Sequence, residues 1–273
     1  NDEEFYGKNI LNSFGLNEGD KFVCFAVRDK AYDEMRVVSR YRDWSYQEYR
    51  NNNIDNYMLA AEELAKRGYF VFRTGVIAEK TFYSDNPKII DYANSSLRSD
   101  FMDIYLGGKC SFSVTTAFGA LALFQIFNKP CAQISVPLAA VHTHCEKNYV
   151  LTRHHILKKE KKRLSLSEIF SCGAAFANDA DFFKNAGIEL IENTPEEIKD
   201  LVLELAESVE NNIDLTPEEQ ELQKTFKNLF IVNYKLPNFK KNLDPYWRDH
   251  KFHNEIKINY CTKFLKENKD WLK

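Results

Sequence analysis

The sequence predicts an α/β fold with a doubly wound parallel sheet, and three observations carry that reading. Nearly continuous apolar runs, such as Lys21-Phe-Val-Cys-Phe-Ala-Val27, have the pattern of strands covered on both faces. Amphipathic helical segments separate these runs. Charged or small polar residues close them, at Arg28-Asp29, Arg73-Thr-Gly75 and Thr115-Thr116, where the carboxyl edge of such a sheet receives ligands.

Residues 1–20 show a helical pattern (Phe5, Ile10, Leu11, Phe14) that ends at Gly15, with a turn at Asn17-Glu-Gly-Asp20. After the first strand, residues 30–53 have no clear period. They hold four arginines (36, 40, 42 and 50), four tyrosines (32, 41, 46 and 49) and Trp44, and so long a loop is usually functional. Asn53 can cap a helix whose stripe is Ile54, Tyr57, Met58, Ala61, Leu64 and Ala65, with Gly68 just past its end. Tyr69-Phe-Val-Phe72 is the next strand and Ile89-Ile90 a short one. Ser99 can cap a helix through Phe101, Ile104, Tyr105 and Leu106.

The run 110–130 reads as a buried strand, a small polar turn at Thr115 and Thr116, then an apolar helix ending near Asn128. A helix opening there would present unpaired N–H groups and positive dipole to an anion. An ordinary βα connection has the same pattern. Cys131-Ala-Gln-Ile-Ser-Val136 is a further strand. Ser165 to Glu168, Thr194 to Glu197 and Thr216 to Glu219 each have capping-box spacing, and Gly187-Ile-Glu-Leu-Ile191 reads as a short strand.

The chain has 273 residues, 28% charged and 44% apolar, which suits one large or two modest domains with a substantial core. Aromatic residues reach 14%, so well-filled cores or a stacking site are expected. A net charge of −3 gives no reason to expect nucleic acid as a partner. The six cysteines match no zinc spacing and form no C-x-x-C pair, which favours a reduced, cytoplasmic protein. No signal peptide or span-length apolar stretch is read. The chain opens on Asn1 rather than Met, so a fragment or a processed chain is expected.

Arg28, Arg73 and Arg98 stand where guanidinium forks could meet phosphate oxygens, or could pair with Asp29, Asp91 or Asp100 instead. Asp29 is the strand-end carboxylate that could accept a proton from an acceptor hydroxyl. No metal is expected. His142 and His144 beside Cys145, and His154 and His155, read as solvated or hydrogen-bonded loop histidines rather than metal ligands. The run 153–163 is the sharpest basic feature, either a solvated loop or a contact with an anionic membrane surface or a pyrophosphate-linked acceptor. Gly-x-Gly-x-x-Gly, Walker and Gly-x-Ser-x-Gly motifs are missing, which disfavours nicotinamide cofactors, ATP and a serine nucleophile.

The segments Arg50-Asn-Asn-Asn-Ile-Asp-Asn-Tyr57, Gly68-Tyr-Phe-Val-Phe-Arg-Thr-Gly75, Asp91-Tyr-Ala93, Arg98-Ser-Asp-Phe-Met-Asp-Ile104 and Gly187-Ile-Glu-Leu-Ile-Glu-Asn-Thr-Pro-Glu-Glu-Ile198 resemble a family of bacterial glycosyltransferases found with surface-polysaccharide genes. The likeness covers residues 15–205 and the closing 268–272. It implies the nucleotide-sugar-binding half of a GT-B enzyme, a Rossmann-like domain that needs no metal or cofactor. Val27-Arg28-Asp29 is also similar to the arginine motif of GT-B fucosyltransferases, whose arginine meets the donor pyrophosphate. The resemblance therefore implies transfer of a sugar from a nucleotide sugar to a glycan or lipid-linked acceptor in surface-polysaccharide assembly, and the basic run 153–163 is the segment that could touch the inner membrane. It implies donor contacts from Arg28, Arg73, Gly75, Arg98, Ser99, Asp100, Thr115, Thr116 and Gly119, with Asp29 as base.

Asn53 replaces an acidic residue of the family pattern, Phe118 replaces a small one, and the loop at 30–49 is longer than the pattern. Only residues 1–20 precede the first strand, so the other GT-B domain is expected to be missing or reduced. The expected organisation is an N-terminal helix and linker (1–20), a Rossmann-like core (21–150), and the remaining α/β elements with a helical C-terminal extension (151–273). Two other readings stay open: a non-catalytic nucleotide-binding or scaffold domain, and a sugar-nucleotide epimerase of the same fold.

Overall fold

The structure is a computed structural model and describes residues 2–31, 45–141, 147–211, 214–234 and 256–273. Seven strands form one parallel sheet among the described residues: β1 (Phe22–Ala26), β2 (Phe70–Arg73), β3 (Ile89–Ile90), β4 (Ser113–Thr115), β5 (Cys131–Val136), β6 (Asn148–Thr152) and β10 (Asn259–Tyr260). Their spatial order is β10-β6-β5-β4-β1-β2-β3. Phe22 pairs with Phe70, Cys24 with Ser113, and Ser113 with Cys131, all in parallel register. The chain first winds outward from β1 to β3, then returns to build β4, β5 and β6 on the other side. This arrangement is compatible with a Rossmann-like fold, and it leaves a topological switch point between β1 and β4.

Every residue of β1 is buried because helices cover both faces of the sheet. Val23 and Phe25 face the core shared by α2 (Met58–Lys66) and α7 (Pro195–Asn211). Phe22, Cys24 and Ala26 point the other way, toward α1 (Asp2–Ser13), α3 (Asp100–Lys109) and α4 (Ala120–Ile126). The predicted caps form. Asn53 Oδ1 accepts from Asp55 N at 3.3 Å, although the chain first makes a 3-10 turn at Ile54–Tyr57 before α2 begins. Ser99 Oγ accepts from Met102 N at 3.2 Å, and Ser165 and Glu168 close a complete capping box on α5 (Leu166–Ser171). Gly68 has φ +95°, as the turn from α2 into β2 requires.

Two expectations need correction. The helix after β4 does not open at Thr115 and Thr116. The strand runs to Thr115, both threonines are fully buried, and α4 starts only at Ala120. Thr115 Oγ1 lies 3.2 Å from Cys131 Sγ on the next strand, so it serves the sheet.

The C-terminal half carries further α/β elements: β6 spans residue 150, and β10 adds a parallel strand beside it. The basic run 153–163 is not a loop: it supplies β7 (His154–Leu157) and β8 (Lys162–Arg163), which join β9 (Ile188–Ile191) in a separate antiparallel sheet. Its side chains divide accordingly. Arg153 and His155 are buried and His154 meets Glu197 at 2.9 Å, whereas 158–163 are exposed. The remaining helices are α6 (Ala180–Asn185), α8 (Pro217–Tyr234) and α9 (Thr262–Glu267). No helix among the described residues is long and apolar enough to cross a membrane.

Candidate functional site

A cavity of about 590 Å³ opens at the carboxyl edge of the sheet, at the switch point between β1 and β4. Its charged wall is Arg28, Asp29, Arg50 and Asp103, and Val76, Ile77, Phe118 and Leu123 supply apolar surface. Cys24 and Gly107 lie on its wall from the strand and from α3.

Arg28 lies two residues past the end of β1 and is held by three hydrogen bonds. Its backbone N–H donates to Thr116 Oγ1 at 2.9 Å, its carbonyl accepts from Asn52 N at 2.9 Å, and its Nε donates to Asn51 Oδ1 at 3.0 Å. Thr116 therefore contributes by fixing the loop that carries Arg28. Arg50 approaches the same cavity from the 3-10 turn Ser45–Arg50, with Nε and Nη2 both donating to the carbonyl of Ala117, Nε at 2.8 Å, and Nη1 donating to Gln47 Oε1. Two arginines from different segments thus line the same cavity.

Asp29 Oδ1 accepts from Ala31 N at 3.0 Å, and Oδ2 accepts from Glu79 N at 2.9 Å and from Arg73 Nη2 at 3.2 Å. Three of a carboxylate's roughly four acceptor positions are occupied. Arg73, 1% exposed, also reaches Asp91 Oδ1 at 3.5 Å. Burial lowers the Arg73 pKa, and Asp91 and Asp29 oppose that shift. Asp103 pairs with Arg98, and burial raises its carboxyl above the ordinary range against the opposing pull of Arg98.

The structure brings Arg28, Asp29, Gly75 and Gly119 of the predicted site residues to the cavity. It does not bring the others there. Arg73 sits behind Asp29, clamped between two carboxylates. Arg98 turns to Asp100 and Asp103, Ser99 is spent on its cap, and Asp100 ends in the Arg98 pair. Thr115 and Thr116 lie beneath the floor. Gly75 has φ +154°, a conformation that lets the chain turn away from β2 along the cavity wall.

Arg50, Asp103 and Phe118 were not selected as site residues from sequence. For Arg50 a signal existed, its place in the long aromatic and arginine-rich loop. Asp103 could be placed from sequence only near the sheet edge, on the helix that Ser99 caps; its place on the cavity wall comes from the tertiary structure. His142, His144, Cys145, Arg36, Arg40, Arg42 and Trp44 lie outside the described residues. Among the described residues no three His, Cys, Asp or Glu side chains come together as a metal site. A second, smaller cleft of about 230 Å³ adjoins the cavity and shares Val27 and Asp29 with it.

No family model, curated protein or solved structure matches this chain.

Proposed function

We propose that the chain binds a nucleotide sugar in the switch-point cavity and transfers its sugar to a glycan or lipid-linked hydroxyl, as a GT-B-like glycosyltransferase domain. The observation that carries this reading is the convergence of Arg28 and Arg50 on one cavity at the carboxyl edge between β1 and β4. Charge-assisted guanidinium forks suit diphosphate oxygens. Phe118, Val76 and Ile77 offer apolar surface to a nucleobase.

In this reading the acceptor O–H gives its proton to Asp29 as its oxygen bonds to the anomeric carbon. The bond from that carbon to the diphosphate breaks, and its electron pair leaves with the diphosphate oxygen. Arg28 and Arg50 stabilise the charge that develops there. The hydrogen bonds from Ala31, Glu79 and Arg73 fix the Asp29 carboxylate, which lines both the cavity and the smaller cleft beside it.

Calorimetry against UDP, GDP and CMP tests the premise. Saturable binding of at least one nucleotide, weakened by Arg28→Lys, supports it, and no binding to any of the three removes it. A second reading is favoured by the crowding of hydrogen bonds on Asp29: a nucleotide-binding domain without transferase activity. Nucleotide binding with no consumption of any bound sugar donor would select that second reading.

A further inference from the structure

We infer that the 230 Å³ cleft beside the cavity is a binding site for a neutral sugar ring, placed to present an acceptor hydroxyl to Asp29. This inference rests on the transferase reading for its catalytic meaning, but the binding site stands on its own chemistry. The cleft draws Asn51 and Asn53 from the segment before α2, Glu79 and Lys80 from the loop after β2, and Glu192 from the end of β9. Amides, carboxylates and an ammonium on three converging segments offer donors and acceptors in many directions, which is what a ring of hydroxyls can satisfy. Ile54 and Val27 supply a small apolar patch for the C–H face of a ring.

The lining also argues against the other common ligands. It has no aromatic ring on which a nucleobase could stack. Its ammonium groups are already matched by carboxylates: Lys80 lies 2.9 Å from Asp55 Oδ2 and Lys30 lies 3.3 Å from Glu79. With Asp29 and Glu192 added, the wall does not favour a phosphate, in contrast to the arginine wall next door. The cleft has less than half the volume of the neighbouring cavity, so it is the smaller of the two candidate ligand spaces. Glu192 is fixed in orientation because its Oε2 accepts from Asn53 N at 2.9 Å and from Asn56 Nδ2 at 3.2 Å. Since Asp29 belongs to both walls, a ring in the cleft and a donor in the cavity would meet at that carboxylate.

Saturation-transfer NMR on the full chain tests this with glucose, galactose, mannose and N-acetylglucosamine as neutral probes and glucuronate as the anionic comparison. The expected result is saturable binding of at least one neutral sugar, not displaced by UDP, GDP or CMP. Glu192→Gln and the surface variant Lys80→Ala should each weaken it about fivefold, one hydrogen bond's contribution, with melting temperatures confirming the fold. Failure of all four neutral sugars to bind overturns the inference, as does preference for glucuronate or displacement by a nucleotide. Nucleotide titration of the same samples separates the two ideas. Nucleotide binding without sugar binding defeats the cleft alone, and the reverse leaves a sugar site and defeats the transferase reading.

Discussion

The Arg73 guanidinium donates to Asp29 across 3.2 Å from a position that is almost wholly buried, so the carboxylate at the mouth of the cavity is held from beneath the sheet edge. The same guanidinium bonds Asp91, whose Oδ2 accepts from Phe82 N at 3.0 Å and from Asn94 at 2.8 Å. One cation thereby ties the end of β1 to the loops on either side of β3. This explains why Arg73 lies at the carboxyl edge without reaching the cavity.

Removing that cation should be costly. Arg73→Met leaves two carboxylates facing each other with no counter-charge, and breaking a buried pair from one side costs about 3–5 kcal/mol. Urea denaturation should show a loss of that order. A variant as stable as the parent would mean that Asp29 and Asp91 are not held by this contact.

Arg28→Lys should behave in the opposite way. Its backbone remains anchored by Thr116 and Asn52, so the melting temperature should barely move. The lysine keeps the charge but loses the planar fork, and nucleotide affinity should fall by about 1.5–3 kcal/mol, roughly tenfold or more. Calorimetry checks it, and unchanged affinity would remove Arg28 from the site.

Thr116→Val keeps the shape and deletes the acceptor for the Arg28 N–H. Leaving that N–H unsatisfied should lower stability by about 1–3 kcal/mol in urea titrations. If Thr116 instead touched the ligand directly, affinity would fall while stability stayed at the parent value.

Two buried groups should give opposing pH dependences. Glu204 accepts from Thr262 N at 2.8 Å at the start of α9, and burial pushes its pKa up to about 7. The fold favours its protonated form, so its contribution is present at low pH and is lost as pH rises toward 7. His155 is 1% exposed, with Nδ1 3.0 Å from the carbonyl of Arg153, and burial lowers its pKa to about 4. Its contribution is present above about pH 6.5, the ordinary histidine value, and is lost as pH falls toward 4. From about pH 4.5 to 6.5 the two offset each other. Glu204→Gln should therefore uncover a rise of melting temperature with pH over that window and be more stable than the parent at pH 8. Identical pH profiles for the two proteins would show that Glu204 does not titrate this way.

Local chemistry determined much of this molecule in advance. The apolar runs at 22–26, 70–73 and 131–136 could satisfy their backbone and cover both faces only as inner strands, and parallel strands need the helices that separate them. The caps at Asn53, Ser99, Ser165, Thr194 and Thr216 were legible for the same reason, since a cap is made by residues within a few positions of each other. Arg28 and Asp29 could be placed at the edge because they immediately follow a strand.

What tertiary structure decided was the side chains' partners. Arg28 lies just beyond β1 and Arg73 is the last residue of β2, yet one lines the cavity and the other is locked behind it. The difference arises because Asp91, 18 residues beyond Arg73, returns beneath it. Strand order also placed β4 beside β1, which created the switch-point cavity and drew Asp103 and Arg50 to it from distant parts of the chain. Periodicity carries no record of such meetings, because they depend on which elements cross rather than on how each element is built.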